Sequence, residues 1–451
     1  MKKLEKILFR RVDNSALILF RVFFGLLIAL ECWGAILTGW VRRILIEPEK
    51  TFHFIGFDFL QPLPGNMMYF YYIIMGLLGI FIMIGFYYKW STAVFTLMWT
   101  VTYLMQKSAY NNHYYLLILI GIFMLIVPAH RYWSYDTRKR HLSESYSMPQ
   151  WVNIFIIAQL FIVYVFASVA KMYPDWLDLT VADTLMYYKR DYPIIGELLQ
   201  EEAVLYVIAY FGLIFDLLVV PLLLRKRTRM PAFFLSLFFH LFNSIIFGIG
   251  IFPYLSLAFI LFFFPPDIVR RKFKLKKPFY EKNEVVTPNY SRVLMGFFAV
   301  WFVLQLALPL RHHFIKGNVL WTEEGHRMSW RMMLRVKRSI HQFKVVNLKT
   351  RKTEYIDSRD HLTPKQRRSL SKPDFIWQYA RIIEEDYAGR GIPVAVYADV
   401  KVSVNGRPYY QLIDPTQDLT KVEWNYCFHN EWIKPLPDDF HDSLSVSSEG
   451  R

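Results

Sequence analysis

Residues 151–172 read WVNIFIIAQLFIVYVFASVAKM, an almost unbroken apolar stretch that closes on Lys171. About 20 mostly apolar residues suffice to cross a bilayer as a helix, so this stretch is predicted to be a membrane span. Comparable runs lie at roughly 16–40, 66–88, 91–108, 112–130, 203–224, 231–250, 253–266 and 292–310, which makes about nine spans, with 253–266 the shortest. The basic start, Lys2-Lys3 to Arg10-Arg11, precedes a run too long for the apolar core of a secretory signal, and further spans follow it. The first run is therefore read as a span and not as a cleavable leader. Pro221 and Pro231 sit near span ends, where a missing backbone donor is tolerated.

Composition fits this reading. Hydrophobic residues make up 54% of the 451, and the 39 Phe, 29 Tyr and 13 Trp suit helices whose ends lie at the bilayer interface. A net charge of +16 would suit nucleic acid if it formed a patch, but the Lys and Arg sit in short loops between apolar runs. Their placement reports topology, and no nucleic-acid partner is expected. With the N-terminus cytoplasmic, the short inside segments hold 21 Lys and Arg and the short outside segments hold 5. Nine crossings then put the C-terminal part outside, and the basic block Arg270 to Lys277 falls inside only if 253–266 crosses. Two cysteines, Cys32 and Cys427, make neither a disulfide framework nor a paired-cysteine metal site, and Cys32 reads as a small buried hydrophobe.

From Arg311 onward no run could cross a membrane. Val394 to Val404 is β-branched and partly alternating, Asn405-Gly406 follows, and Tyr409 to Ile413 could return as a partner strand. Residues 341–357 read as another strand pair and 363–385 as a helix with Pro364 near its start. The expected fold is a membrane all-α, multi-pass helix bundle (1–310) followed by a small β-rich α+β extracytoplasmic domain (311–451).

Ionisable groups at membrane depth are costly and are functional candidates. Lys171 at the end of its run is either a snorkelling anchor or a desolvated amine able to act as a base near neutral pH. Tyr164 lies two turns earlier on the same face. His240 is mid-span and shares a helix face with Asn243, which suits either interhelical hydrogen bonding or a polar cavity facing Lys171. Asn112 and His113 open the fourth run, where an interfacial cap is the simpler reading. Arg21 with Glu31 or Asp216 is expected to form a structural ion pair. A polar pocket open toward the outer side would bring a lipophilic substrate and a reactive base together.

Several stretches carry a resemblance: Asp13 to Leu17, Gln61 to Pro64, Gln106 to His113, Gln159 to Lys171 with Asp175-Trp176, Phe239-His240 with Asn243-Ser244, Trp321-Thr322, Ser329-Trp330 with Met332-Met333, Val402 to Asn405 and Asp414-Pro415. In this order they resemble the vitamin K-dependent γ-glutamyl carboxylases, membrane proteins with an HTTM domain, over nearly the whole chain. The resemblance implies that vitamin K hydroquinone, a reduced naphthoquinone, is oxidised by O2 to the epoxide. The strong base so formed lets peptidyl glutamate capture CO2. Lys171 would deprotonate the hydroquinone, with His113 and His240 also catalytic; Asn112, Tyr164 and Asn243 would bind the quinone; Trp321, Arg327 and Trp330 would serve the glutamate side. No metal is needed, and the partners are the lipid membrane, the naphthoquinone and a glutamate-containing protein or peptide.

The sequence also departs from that family. His326, Arg327 and Met328 stand where tyrosine and glycine are expected, the cysteines tethering the outer domain are missing, and the chain ends soon after Trp432. The short C-terminus points to a bacterial inner membrane, with a lumen-facing domain in the endoplasmic reticulum as the eukaryotic equivalent. The departures leave two alternatives to a full peptidyl-glutamate carboxylase with coupled epoxidation: a quinone epoxidase that carboxylates no protein, and a non-catalytic quinone-binding membrane protein. A transporter would show paired repeats, and none is seen.

Overall fold

The computed structural model describes residues 2–440. Among the described residues, six helices are long and apolar enough to cross a membrane: Ser15–Leu37, Met67–Ile84, Trp151–Val169, Glu202–Leu224, Arg229–Phe247 and Ser291–Phe314. The protein is thus an integral membrane helix bundle. Three of the nine expected runs fall short of that standard for separate reasons. Asn112–Ile126 and Phe252–Phe263 are apolar but shorter, the latter finishing as a tighter 3-10 turn after Phe259. Tyr88–Met105 has the length but carries Thr92, Thr96, Thr100 and Thr102, whose hydroxyls bond back to carbonyls four residues earlier. A polar surface of that kind is satisfied within the helix but lowers its hydropathy.

The first two long helices pack unusually closely, and small residues make this possible. A Cβ on Gly25 would lie 2.4 Å from the Met83 amide nitrogen, and one on Gly79 would lie 2.8 Å from that of Ala29. Larger side chains at either position would push the backbones apart. Cys32 is buried in the bundle core, as its apolar surroundings suggested.

The C-terminal domain is a four-stranded antiparallel sheet in the order Thr353–Ile356, Lys337–Asn347, Val394–Val404, Tyr410–Gln411. Both expected strand pairs form. Phe343 is in register with Ala398, and Asn405 and Gly406 both take positive φ in the turn leading to the last strand. The single helix expected over 363–385 is two helices, Pro364–Ser369 and Pro373–Ala388. Pro373 explains the break, because the residue before proline is driven out of the helical region. Thr363 and Gln366 form a capping box on the first of them. The second lays Phe375, Ile376, Tyr379 and Ile383 on one sheet face, over Phe343, Val396 and Val400.

This domain is fastened to the bundle by buried charge at two places. Lys107, between two bundle helices, pairs with Asp374 at the start of the Pro373–Ala388 helix. Asp175, four residues beyond Lys171, accepts from Asn405 Nδ2 (2.8 Å) and Arg407 Nη2 (2.9 Å) on the hairpin turn. Phe52, from a bundle loop, enters the domain core and meets Phe375 at 5.0 Å between ring centres.

Candidate functional site

The Trp151–Val169 helix ends in a short turn, where the Lys171 amide bonds the Ser168 carbonyl at 2.9 Å. This turn aims the Lys171 amine back into the bundle. There it pairs with Asp216 on the Glu202–Leu224 helix and lies 5.5 Å from the centre of the Trp176 ring. Both partners are almost fully buried. A buried charge needs such a partner, and snorkelling to the interface is not what this lysine does. The ion pair expected for Arg21 does not form. The Arg21 guanidinium donates to the Trp133 carbonyl at 2.6 Å, and Glu31 accepts from the Tyr114 hydroxyl at 2.9 Å. Asp216, the partner Lys171 does use, was legible only as a charge out of place.

Lys171 and Asp216 face one apolar cavity. His113, Tyr164, His240 and Asn243 line it too, together with Phe239, Phe252, Met332 and Met333. Tyr164 Oη lies 3.0 Å from His240 Nε2. The His113 ring stacks on Phe252 with 3.9 Å between ring centres, and His240 approaches the same Phe252 edge-on at 6.4 Å. Two imidazoles, a phenol, an amide and an amine–carboxylate pair thus surround a greasy volume within the membrane-embedded bundle. Such a lining suits a flat lipophilic ring with oxygens at both ends.

Asn112 is placed elsewhere. Its Nδ2 donates to the Arg331 carbonyl and its Oδ1 accepts from the Tyr110 hydroxyl, each at 2.9 Å. It follows the helix cap Asn111, whose Oδ1 takes the Tyr114 amide proton, and it points toward the C-terminal domain. It braces the segment bearing His113.

Trp321, Arg327 and Trp330 do not converge on one site. Trp321 is in the C-terminal core and donates to the Lys434 carbonyl at 2.9 Å. Trp330 is in the bundle core, 5.2 Å from the Tyr115 ring. Arg327 is bidentate on the chain's own Asp374, at 2.9 and 3.1 Å, so it is not available to a substrate carboxylate. Burial works against charge on Asp374, but Arg327 and Lys107 outweigh it and hold this carboxyl well below the usual range.

A second cavity, of about 410 Å³, lies between bundle and C-terminal domain on the other side of the Lys171 turn. Ala170, Met172 and Tyr173 flank it, as do His312, Asn405 and Arg331. Arg331 Nη2 is 2.7 Å from His312 Nε2, and among the described residues no carboxylate pairs with Arg331. Arg331 and Met332 are consecutive, so one strip of chain faces both cavities. Sequence reading passed over Arg331. Its spacing from Trp330 and Met332 was the only signal.

Nearby, His326 is fully buried, with Nδ1 3.0 Å from the Glu323 carbonyl. Burial drives its pKa down from 6.5 to about 3, although the Glu323 carboxylate pulls the other way. The folded ring is neutral down to about pH 3, whereas the unfolded chain protonates it below about 6.5. Stability should therefore fall as the pH drops from 6.5 toward 3, by up to about 1.4 kcal/mol per pH unit from this group. Thermal unfolding across that range, compared with His326→Gln, checks this. The variant should show a shallower acid slope.

Two family profiles match the chain. The HTTM domain matches residues 9–268, and the vitamin K-dependent gamma-carboxylase lumenal domain matches residues 290–439. No solved structure matches it. Since the first match alone spans more than half of the 451 residues and the second takes up most of the rest, the chain belongs to the vitamin K-dependent gamma-carboxylase family of HTTM-domain membrane proteins.

Proposed function

We propose that the protein oxidises a reduced naphthoquinone of the vitamin K type with O2 and uses the base so generated to add CO2 to peptidyl glutamate. The observation that carries this reading is the convergence of Lys171, His113, His240, Tyr164 and Asn243 on one apolar cavity. When bound there, the hydroquinone supplies, on oxidation to its epoxide, a base strong enough to remove a glutamyl γ-proton.

The chain's own groups have separable tasks. Lys171 passes a proton to Asp216, which turns the ion pair into a neutral amine and a neutral acid without breaking their contact. In an apolar site this exchange is cheap, because neither partner is left as an isolated charge. The free amine then takes the proton of a quinol hydroxyl. His240, held by Tyr164, and Asn243 orient the quinol oxygens, and His113 on Phe252 forms the wall opposite. Phe239, Phe252, Met332 and Met333 keep water from the base and from the glutamyl carbanion.

The glutamate side belongs to the second cavity. Arg331, with His312 behind it, receives the substrate carboxylate in place of Arg327. In this account Tyr88–Met105, Asn112–Ile126 and Phe252–Phe263 complete nine crossings, the N-terminus is cytoplasmic, and residues 311–451 form the extracytoplasmic domain. Neither O2 nor CO2 requires a dedicated charged site.

A second reading, epoxidation without protein carboxylation, is favoured by one observation: Arg327 is spent on Asp374. The test is transfer of labelled CO2 to a glutamate-containing peptide by the purified full chain in liposomes, with hydroquinone and O2 present. Label is expected in the peptide. Arg331→Ala should raise the KM for peptide roughly 10- to 100-fold, as for loss of a charged hydrogen bond, with epoxidation retained. Epoxide without labelled peptide would leave only the second reading, and no epoxide would remove both.

A further inference from the structure

A third cavity, of about 510 Å³, opens between the Ser15–Leu37 helix, the start of Asn112–Ile126 and the loop before Phe252. His113, Ile249 and Phe252 line both this cavity and the one that holds Lys171, so they form the partition between the two. On the far side of the partition stands a carboxylate to which the reading above gives no task. Glu31 accepts from the Tyr114 hydroxyl at 2.9 Å and from the Ile251 amide. The loop backbone closes on it: a Cβ at Gly250 would lie 3.0 Å from Glu31 Oε2. Glu31 lies six positions before the helix end at Leu37, about 9 Å at the helical rise.

The surroundings of Glu31 hold no cation among the described residues. Cys32 is its neighbour on the same helix, Tyr72 faces it from Met67–Ile84, and His113 and Tyr114 face it from Asn112–Ile126. The loop before Phe252 offers only backbone. A carboxylate so placed, at membrane depth beside a roomy cavity and without a salt bridge, is suited to exchanging a proton.

The proposed reaction creates a need for such a group. Hydroquinone and O2 become epoxide and water, while a glutamyl C–H and CO2 become a new carboxylate and one H⁺. One net proton therefore has to leave a cavity that must stay dry. We propose that this third cavity is the proton outlet, with His113 as the gate and Glu31 as the acceptor. His113 takes a proton on the ring nitrogen facing the Lys171 cavity and gives one up from the other nitrogen. Glu31 receives that proton, through a bridging water, as a neutral acid held by Tyr114, and releases it to the outer water. The His113 ring passes the proton, and Phe252 stacked on it keeps bulk water out.

This inference rests on the reading of the first cavity as the hydroquinone site and on carboxylation of the peptide, since epoxidation alone releases no net proton. It is tested with the full chain in liposomes by measuring epoxide and labelled peptide against pH. Glu31→Gln should lower kcat roughly 10- to 100-fold, leave the KM for hydroquinone within about twofold and abolish the acid limb of the pH profile. Glu31→Asp should restore part of the rate. In the unmodified protein, infrared difference spectra on hydroquinone addition should show a protonated-carboxyl band that shifts in Glu31→Asp. That spectrum decides the matter even if Glu31→Gln folds poorly. Wild-type rate and pH profile in Glu31→Gln, or a carboxyl band that does not move in Glu31→Asp, would overturn the outlet and leave the hydroquinone site standing. No epoxide from the unmodified protein would remove both.

Discussion

Replacing Lys171 with alanine is expected to reduce epoxide formation roughly 10²- to 10⁴-fold, the range typical of losing a general base. The variant also removes the partner of a buried carboxylate, and an uncompensated buried charge costs about 3–5 kcal/mol. Loss of activity in Lys171→Ala alone could therefore be a folding defect. The pair Lys171→Ala with Asp216→Asn separates the two effects, because it removes both charges together. It should unfold near the wild-type temperature and still make no epoxide. Asp216→Asn alone keeps the amine but withdraws the group that accepts its proton, so it too should lose most activity. Substantial epoxidation by the double variant would take the base away from Lys171.

The second large effect concerns stability. Asp374 is the single carboxylate shared by Lys107 and Arg327, all three of them buried. Asp374→Ala leaves two cations facing each other without an anion and should destabilise the junction by about 3–5 kcal/mol. Lys107 lies just before the Asn111–Asn112–His113 segment, and Arg327 just before Trp330 and Arg331. The damage should therefore reach the cavities as well as the junction. Thermal unfolding and limited proteolysis between residues 311 and 330 would show the C-terminal domain parting from the bundle. Asp374→Ala combined with Arg327→Ala should recover part of the loss. An Asp374→Ala protein as stable as the unmodified one would show that the triad does not fasten the domain.

Much of the architecture can be read along the chain because membrane spans announce themselves by composition. The runs at 16–40, 151–172 and 203–224 contain long helices, and the Asn405-Gly406 turn lies where its φ requirement put it. Lys171 and His240 stood out for the same reason, as polar residues in apolar company. What the sequence could not supply was pairing between helices. Whether Asp216 meets Arg21 or Lys171 depends on helix rotation and depth, and neither is written in a local pattern. Asn112 and His113 are adjacent yet face different ways, since neighbouring positions on a helix point about 100° apart. Arg327 reads as a free carboxylate receptor until Asp374, 47 residues further on, is found bound to it. Arg331 was hidden by the opposite effect: among the described residues no carboxylate pairs with it.

The most direct measurement of the central claim is epoxide production by the purified full chain in liposomes, given vitamin K hydroquinone and oxygen. Oxygen uptake should be followed in the same vessel. One epoxide should form for each O2 consumed, at a rate that saturates with hydroquinone. Folded protein that returns the hydroquinone unchanged, or oxidises it only to the quinone, would contradict the claim.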